Sequence, residues 1–215
     1  MTTSPPPTAS APSAPPPTAF AADEFRRSVA RPHAVLDIVL AERARLAATV
    51  LGGANLAPLL GLLLGSSVLF TVPFALVRAP AEPGHVAALF LGSTLICFPS
   101  LQVFSSYLGG RLTVAQNLAL ALTVPAAAAL FSLGFFPIQW FLEASMAPGG
   151  AVGAHEIAIG LLAIALLLGI SHLNRCLLAD SALRSLRSSW LLLLGWQSLL
   201  VFITCRMALA LHILP

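Results

Sequence analysis

"LICFPSLQVFSSYLGGRLTVAQ", residues 95–116, decides how this chain folds. It begins as an apolar run, sets Pro99 beside Ser100 and near Gln102, and ends on Gly109-Gly110-Arg111 before Thr113 and Gln116. In hydrocarbon every backbone N–H and C=O needs a partner within the segment, so such a run reads as a helix. Proline at 99 removes one donor and frees the carbonyl of Leu95. Ser93, Thr94, Ser100 and Gln102 are near enough in sequence to compensate. Gly109-Gly110 ends the helix, and Arg111 anchors the turn on the inner side. Thr113 with Gln116 has the spacing of a capping box for the next helix. The stretch therefore reads as a helical hairpin, kinked at Pro99, with a tight cytoplasmic turn. Phe98, Pro99 and Ser100 mark the kink, and Gln102, Gln116 and Asn117 are left as candidates to line a cavity.

Outward from the hairpin the same character continues. The chain has 215 residues, 58% of them hydrophobic and 9% charged. A soluble domain carries about a quarter charged residues, so this chain cannot cover itself with polar surface and belongs in a bilayer. The net charge of +3 is too small, and too concentrated near the N-terminus, for nucleic-acid binding. All eleven basic residues are arginine. Cys97, Cys176 and Cys205 have no C-x-x-C spacing and read as small buried hydrophobes.

Five apolar stretches are long enough to cross, at 55–77, 85–108, 113–134, 155–173 and 189–212. Each is near the ~20 residues that span the hydrocarbon as a helix. The third stretch runs too long for one straight crossing. Pro125 and Pro137 interrupt it, so it is expected to cross to about Gly134 and then lay "FFPIQWFLE" in the outer interface, with Trp140 in an aromatic belt. Arg26, Arg27, Arg31, Arg43, Arg45, Arg111, Arg175, Arg184 and Arg187 fall on one side of this plan, against Arg78 alone on the other. The asymmetry places the N-terminus inside and the C-terminus outside.

Before the first span, residues 1–22 are Pro-, Ala- and Ser-rich and read as a disordered tail. Residues 23–50 mix acids and arginines with Val35, Leu36, Val39, Leu40 and Leu46 at helical spacing. They read as a cytoplasmic amphipathic helix lying on the membrane, its first turn set by Pro32, with arginines toward anionic lipid headgroups. Residues 51–215 then form the transmembrane bundle.

The stretch 95–142 also resembles a bacterial family of small polytopic membrane proteins. The resemblance rests on Phe98-Pro99-Ser100-Leu101-x-Val103-Phe104, on Gly109, Gly110, Arg111 and Leu112, on Gln116, and on Pro137 ahead of Trp140 and Phe141. Gln102 stands where the family pattern has an aromatic residue. The five-span, N-inside plan resembles Yip-type membrane proteins in topology, without their Asp- and Tyr-containing motif. These resemblances imply an all-α integral membrane bundle and bring no catalytic residue with them.

A search for chemistry finds little. His155-Glu156 lacks the second histidine of a zinc-protease helix. Ser171 and His172 are adjacent and cannot face each other as a catalytic pair. No cofactor or metal site is expected. His172, Gln197, Arg206, Glu143 and Glu156 join Gln102 and Asn117 as candidate intramembrane polar contacts, with Arg206 either snorkelling or paired to Glu143 or Glu156. Gly61 to Gly65 offers a small-xxx-small helix contact. The reading is a non-enzymatic membrane protein of the bacterial inner membrane: a scaffold, assembly factor or complex subunit. Its expected partners are the bilayer and either another membrane protein or a second copy of itself. The alternative is a small-solute permease with the kinked second span lining the path.

Overall fold

The computed structural model describes residues 18–53, 55–78, 83–107, 112–145, 151–179 and 190–211. Among these every regular element is helical. Four short pieces come first: α1 (Ala22–Ala30), α2 (Pro32–Leu36), a π-helical turn (Asp37–Ala41) and α3 (Arg43–Gly52). The remainder is α4 (Leu56–Leu69), α5 (Val72–Arg78), α6 (Gly84–Tyr107), α7 (Val114–Ser145), α8 (Ala151–Ala179) and α9 (Trp190–Ala210). Five candidate spans result: Leu56–Val77, Gly84–Tyr107, Val114–Ser145, Glu156–Leu178 and Leu191–Ala210.

The first span is made of two helices, because Pro73 supplies no N–H and crowds the carbonyl one turn back. The helix stops at Leu69 and restarts at Val72, and the Thr71 hydroxyl donates to the carbonyls of Ser67 and Val68 at 3.2 and 2.8 Å. By contrast α7 is unbroken. Pro125 and Pro137 both lie inside its 32 residues, so the expected break at Gly134 does not occur and 135–145 continues the same helix. Proline at depth is tolerated where neighbouring helices pack around the freed backbone.

The bundle is organised around α7. Of its most apolar window, 72% is buried inside the protein, against 28% for α9. A helix buried on all sides is a core helix, and α7 touches α4, α5, α6 and α8. Its middle, "ALALTVPAAAAL" (119–130), is buried throughout. The run of alanines lets neighbours approach closely, and α8 does so through Gly169. A Cβ on Gly169 would lie 2.6 Å from the Val124 carbonyl oxygen. At the edge of the bundle, α9 leans mainly on α6.

The N-terminal region differs from the expected surface helix. Arg31 is extended (φ −136°, ψ 98°), as a residue before proline tends to be, and Pro32 opens α2 at its first turn. The chain therefore folds back on itself as a cap. Phe20, Phe25, Val35, Ile38, Val39, Leu46 and Val50 are buried in the main core, whereas Leu36 is exposed. The end of the stretch 1–22, expected as tail, belongs to the cap: Phe20 is buried, and Ala22 already begins α1. Gly53 (φ 69°) and Asn55 (φ 60°) adopt left-handed backbone at the joint between cap and bundle, as glycine and asparagine do most readily. Residues 1–17, Gly109, Gly110, Arg111, Arg184 and Arg187 lie outside the described residues.

Candidate functional site

The polar side chains singled out above gather at the α6–α7 hairpin and at the cap-side ends of α8 and α9. Thr113 and Gln116 form the reciprocal capping pair. The Thr113 N–H donates to Gln116 Oε1 at 2.7 Å, and the Gln116 N–H to Thr113 Oγ1 at 3.3 Å. Gln116 Nε2 then donates to the carbonyls of Val50 and Leu51 at 2.8 and 3.0 Å. One buried amide thus caps the start of α7 and also satisfies the end of α3, where helix carbonyls have no partner within the helix.

One residue on, Asn117 Nδ2 donates to Gln102 Oε1 at 2.7 Å and to Ser105 Oγ at 3.1 Å. These bonds hold α6 against α7. Beside them lies a cavity of ≈ 30 Å³ lined by Leu101, Phe104, Asn117, Leu173 and Trp196 among others. A single water needs about 10–15 Å³ of such space, so the cavity has the scale of ordered water. Interhelical hydrogen bonds in bilayers contribute about 0.6 kcal/mol on average and up to about 1.7. Asn117→Leu is expected to destabilise the bundle within that range in denaturant titration. Gln102→Leu on top of it should add less than it costs alone, because the two share a bond. Strict additivity would mean that the two amides act independently.

Around Pro99 the expected hydroxyls bond within their own helix, and none of these bonds goes to the Leu95 carbonyl. Ser93 and Thr94 donate to carbonyls one turn back, at Leu89 and Phe90. Ser100 donates to the Cys97 carbonyl at 2.6 Å, and the buried Trp196 Nε1 reaches the same oxygen from α9 at 3.1 Å. Trp196 was not legible as a site residue, since a tryptophan in an apolar span reads equally well as lipid-facing. Pro99 itself is exposed and Phe98 half-buried.

Gln197 Nε2 donates to Asn174 Oδ1 at 2.6 Å, tying α9 to α8. His172 is buried, 3.4 Å from the Cys176 sulfur and near the Val39 backbone of the cap. The other candidates do not converge. Arg206 and Glu156 are exposed, and no ion pair among the described residues joins Arg206 to Glu143 or Glu156. Glu143 accepts from Gln139 Nε2 at 2.9 Å, and Pro137 is exposed. Gln139 was overlooked in the sequence, although it is fully buried with Oε1 unpartnered.

A second overlooked residue, Arg45, is the clasp of the cap. Its guanidinium donates to both oxygens of Glu24 (3.0 and 2.8 Å), to Glu42 (2.6 Å) and to the Thr18 carbonyl (3.1 Å). It also stacks 4.3 Å over the Phe20 ring. Phe20 is pinned further by its N–H on Thr49 Oγ1 and its carbonyl on Asn55 Nδ2. The Arg45 bond, helped by the Ala21 N–H, holds the Glu24 carboxyl below its ordinary value of 4.5, and the same bond raises Arg45. A carboxyl lowered on folding stabilises fully above its unfolded value and loses that contribution as pH falls through the lowered one. Both side chains are about a third exposed, so screening keeps the effect modest. Acidification below pH 4.5 is expected to lower the protection factor of the Phe20 amide, taken against the unfolded chain at the same pH, before the spans open. Arg45→Gln should do the same at neutral pH. Phe20 protection that survives both would leave the clasp without a stabilising role.

Chemically, this arrangement stitches helices together. Among the described residues no three His, Cys, Asp or Glu side chains cluster so as to hold a metal. Compared with known protein families, curated proteins and solved structures, the chain matches none.

Proposed function

We propose that this chain is a non-enzymatic multi-pass membrane protein, a scaffold, assembly factor or subunit of a membrane complex. We place it in a bacterial cytoplasmic membrane with the N-terminus inside and the C-terminus outside. The observation that carries the reading is on the first span. Ala57, Gly61 and Gly65 recur every four residues on an exposed face of α4, and among the described residues nothing comes within 4 Å of a Cβ built on either glycine. In lipid there is no hydrophobic drive between helices, and stripes of small residues let a second backbone approach closely. The same device is used internally, where Gly169 meets α7. The permease alternative has less support. Gln102 and Asn117 bond each other, and the space beside them is only ≈ 30 Å³.

Gly61→Leu with Gly65→Leu tests the reading. Both positions are exposed and a Cβ there has open space among the described residues, so fold and melting temperature should be retained. Self-association or co-purification in mild detergent should fall by about tenfold, which corresponds to about 1.4 kcal/mol. Complexes of unchanged size and yield would show that this face holds no partner.

A further inference from the structure

The cap carries an open surface hollow, a cup of ≈ 270 Å³. This is smaller than the ~300–1,000 Å³ of pockets for drug-sized ligands. Its lining is charged and balanced: Arg27, Arg31 and Arg45 against Glu24, Asp37 and Glu42, with His33 beside them. Part of that charge is engaged within the chain. Arg27 pairs with Asp23, and Arg45 with Glu24 and Glu42. Arg31 and Asp37 enter none of these ion pairs, and both are exposed. Each is presented by a break in helical backbone. Arg31 sits in the extended joint before Pro32, and Asp37 opens the π-helical turn. Single π turns are rare and recur at functional sites. Among the described residues the cup therefore offers one unmatched cation and one unmatched anion to the same small volume.

Its position narrows the ligand. The cap is tied to the start of α7 by Gln116 and packs through α3 on α8. It therefore lies where membrane spans begin and end, at the level of lipid headgroups. A group at that level with an anion and a cation a few bonds apart is a zwitterionic headgroup. We infer that the cup binds the phosphoethanolamine headgroup of a phospholipid, with the phosphate on Arg31 and the ammonium on Asp37. Arg27 and His33 adjoin the phosphate, since the Arg27–Asp23 pair is solvent-exposed and such pairs are weak. A primary ammonium brings three N–H donors to a carboxylate. A choline headgroup brings none, and a glycerol headgroup brings no cation. Purely anionic lipid, the partner expected for an arginine-rich surface helix, would face three carboxylates here.

The test uses the full chain in nanodiscs of phosphatidylcholine doped with phosphatidylethanolamine or phosphatidylglycerol. Retained lipid is read by native mass spectrometry after extraction. Phosphatidylethanolamine should be retained over both others by about tenfold. Asp37→Asn should abolish its advantage over phosphatidylglycerol, and Arg31→Gln should lower retention of both. Both residues are exposed, and an unchanged melting temperature confirms that the variants fold. Equal retention of the three lipids, or a preference that survives Asp37→Asn, overturns the assignment. Free O-phosphoethanolamine that displaces the retained lipid at equal concentration would overturn the lipid source in favour of a soluble phosphoamine. Failure of that competitor supports the lipid.

Discussion

Gly169→Leu is expected to abolish assembly of the bundle, and Gly169→Ala to lower its melting temperature. The atom in the way is backbone. A Cβ at 169 would sit 2.6 Å from the Val124 carbonyl oxygen and 3.3 Å from the Ala128 nitrogen. Neither can rotate aside, so α8 must move off α7, the helix on which the core is built. Overpacking of a tight core costs about 1–3 kcal/mol, occasionally more. Alanine regains up to about 1 kcal/mol of helix propensity over glycine, which leaves a modest net loss. Leucine has no such offset. Gly92 provides a sharp comparison, because the atom a Cβ would meet there at 2.6 Å is the terminal methyl of Met207. That flexible thioether can repack, so Gly92→Ala should be mild. Gly160→Ala meets nothing within 4 Å and should not destabilise at all. Thermal unfolding in detergent orders the set as Gly160→Ala, Gly92→Ala, Gly169→Ala, Gly169→Leu. A Gly169→Leu protein that melts like the wild type would mean that α7 and α8 do not meet at this point.

Gln116→Leu should release the cap while leaving the spans inserted. The leucine fills the volume but removes the acceptor for the Thr113 N–H and the donor for the Val50 and Leu51 carbonyls. Each buried group left without a partner costs about 1–3 kcal/mol. Water near the headgroups recovers part of this, so a total of roughly 2–4 kcal/mol is expected. The loss falls on the contact between α3 and α7. Residues 18–53 should become sensitive to protease in vesicles open on that side, with the rest of the chain still membrane-embedded. Gln116→Glu keeps the capping acceptor but turns a carboxylate toward two carbonyls, so it should release the cap as well. A cap equally resistant in both variants would show that Arg45 and the buried apolar residues hold it without Gln116.

Much of the bundle was legible in the sequence because one physical constraint writes it there. A span must be about 20 residues long and nearly free of charge, and five such stretches are visible by inspection. Local chemistry was legible too. Thr113 and Gln116 are three residues apart, and a capping box needs nothing beyond that spacing. What failed depended on partners far along the chain. Residues 23–50 show a helical period of apolar residues that suits a membrane surface as well as a protein one. That they fold back as a cap depends on Arg45 meeting Glu24, 21 residues earlier, and on α3 packing against α8.

The same limit applies inside the membrane. Nothing in composition distinguishes Gly169 from Gly160 or Gly61, because all three are glycines in apolar helices. Only packing makes one a close contact, one idle and one an exposed stripe. Gln102, Asn117 and Trp196 announce polarity in hydrocarbon, but polarity alone does not say whether a side chain lines a cavity or holds two helices together. The run of the chain through Pro125 and Pro137 was hidden for a related reason. A proline is a local break by its own chemistry, and whether the helix continues depends on neighbours able to surround it. The sequence alone determined five helical stretches long and apolar enough to cross a membrane, and the capping pair of Thr113 and Gln116. The tertiary structure decided which helix is central, which glycine is a contact, and that Arg27 and Arg45 close on carboxylates of their own chain. Spans and caps follow from single-segment energetics, whereas these follow from atoms brought together only once the helices have packed.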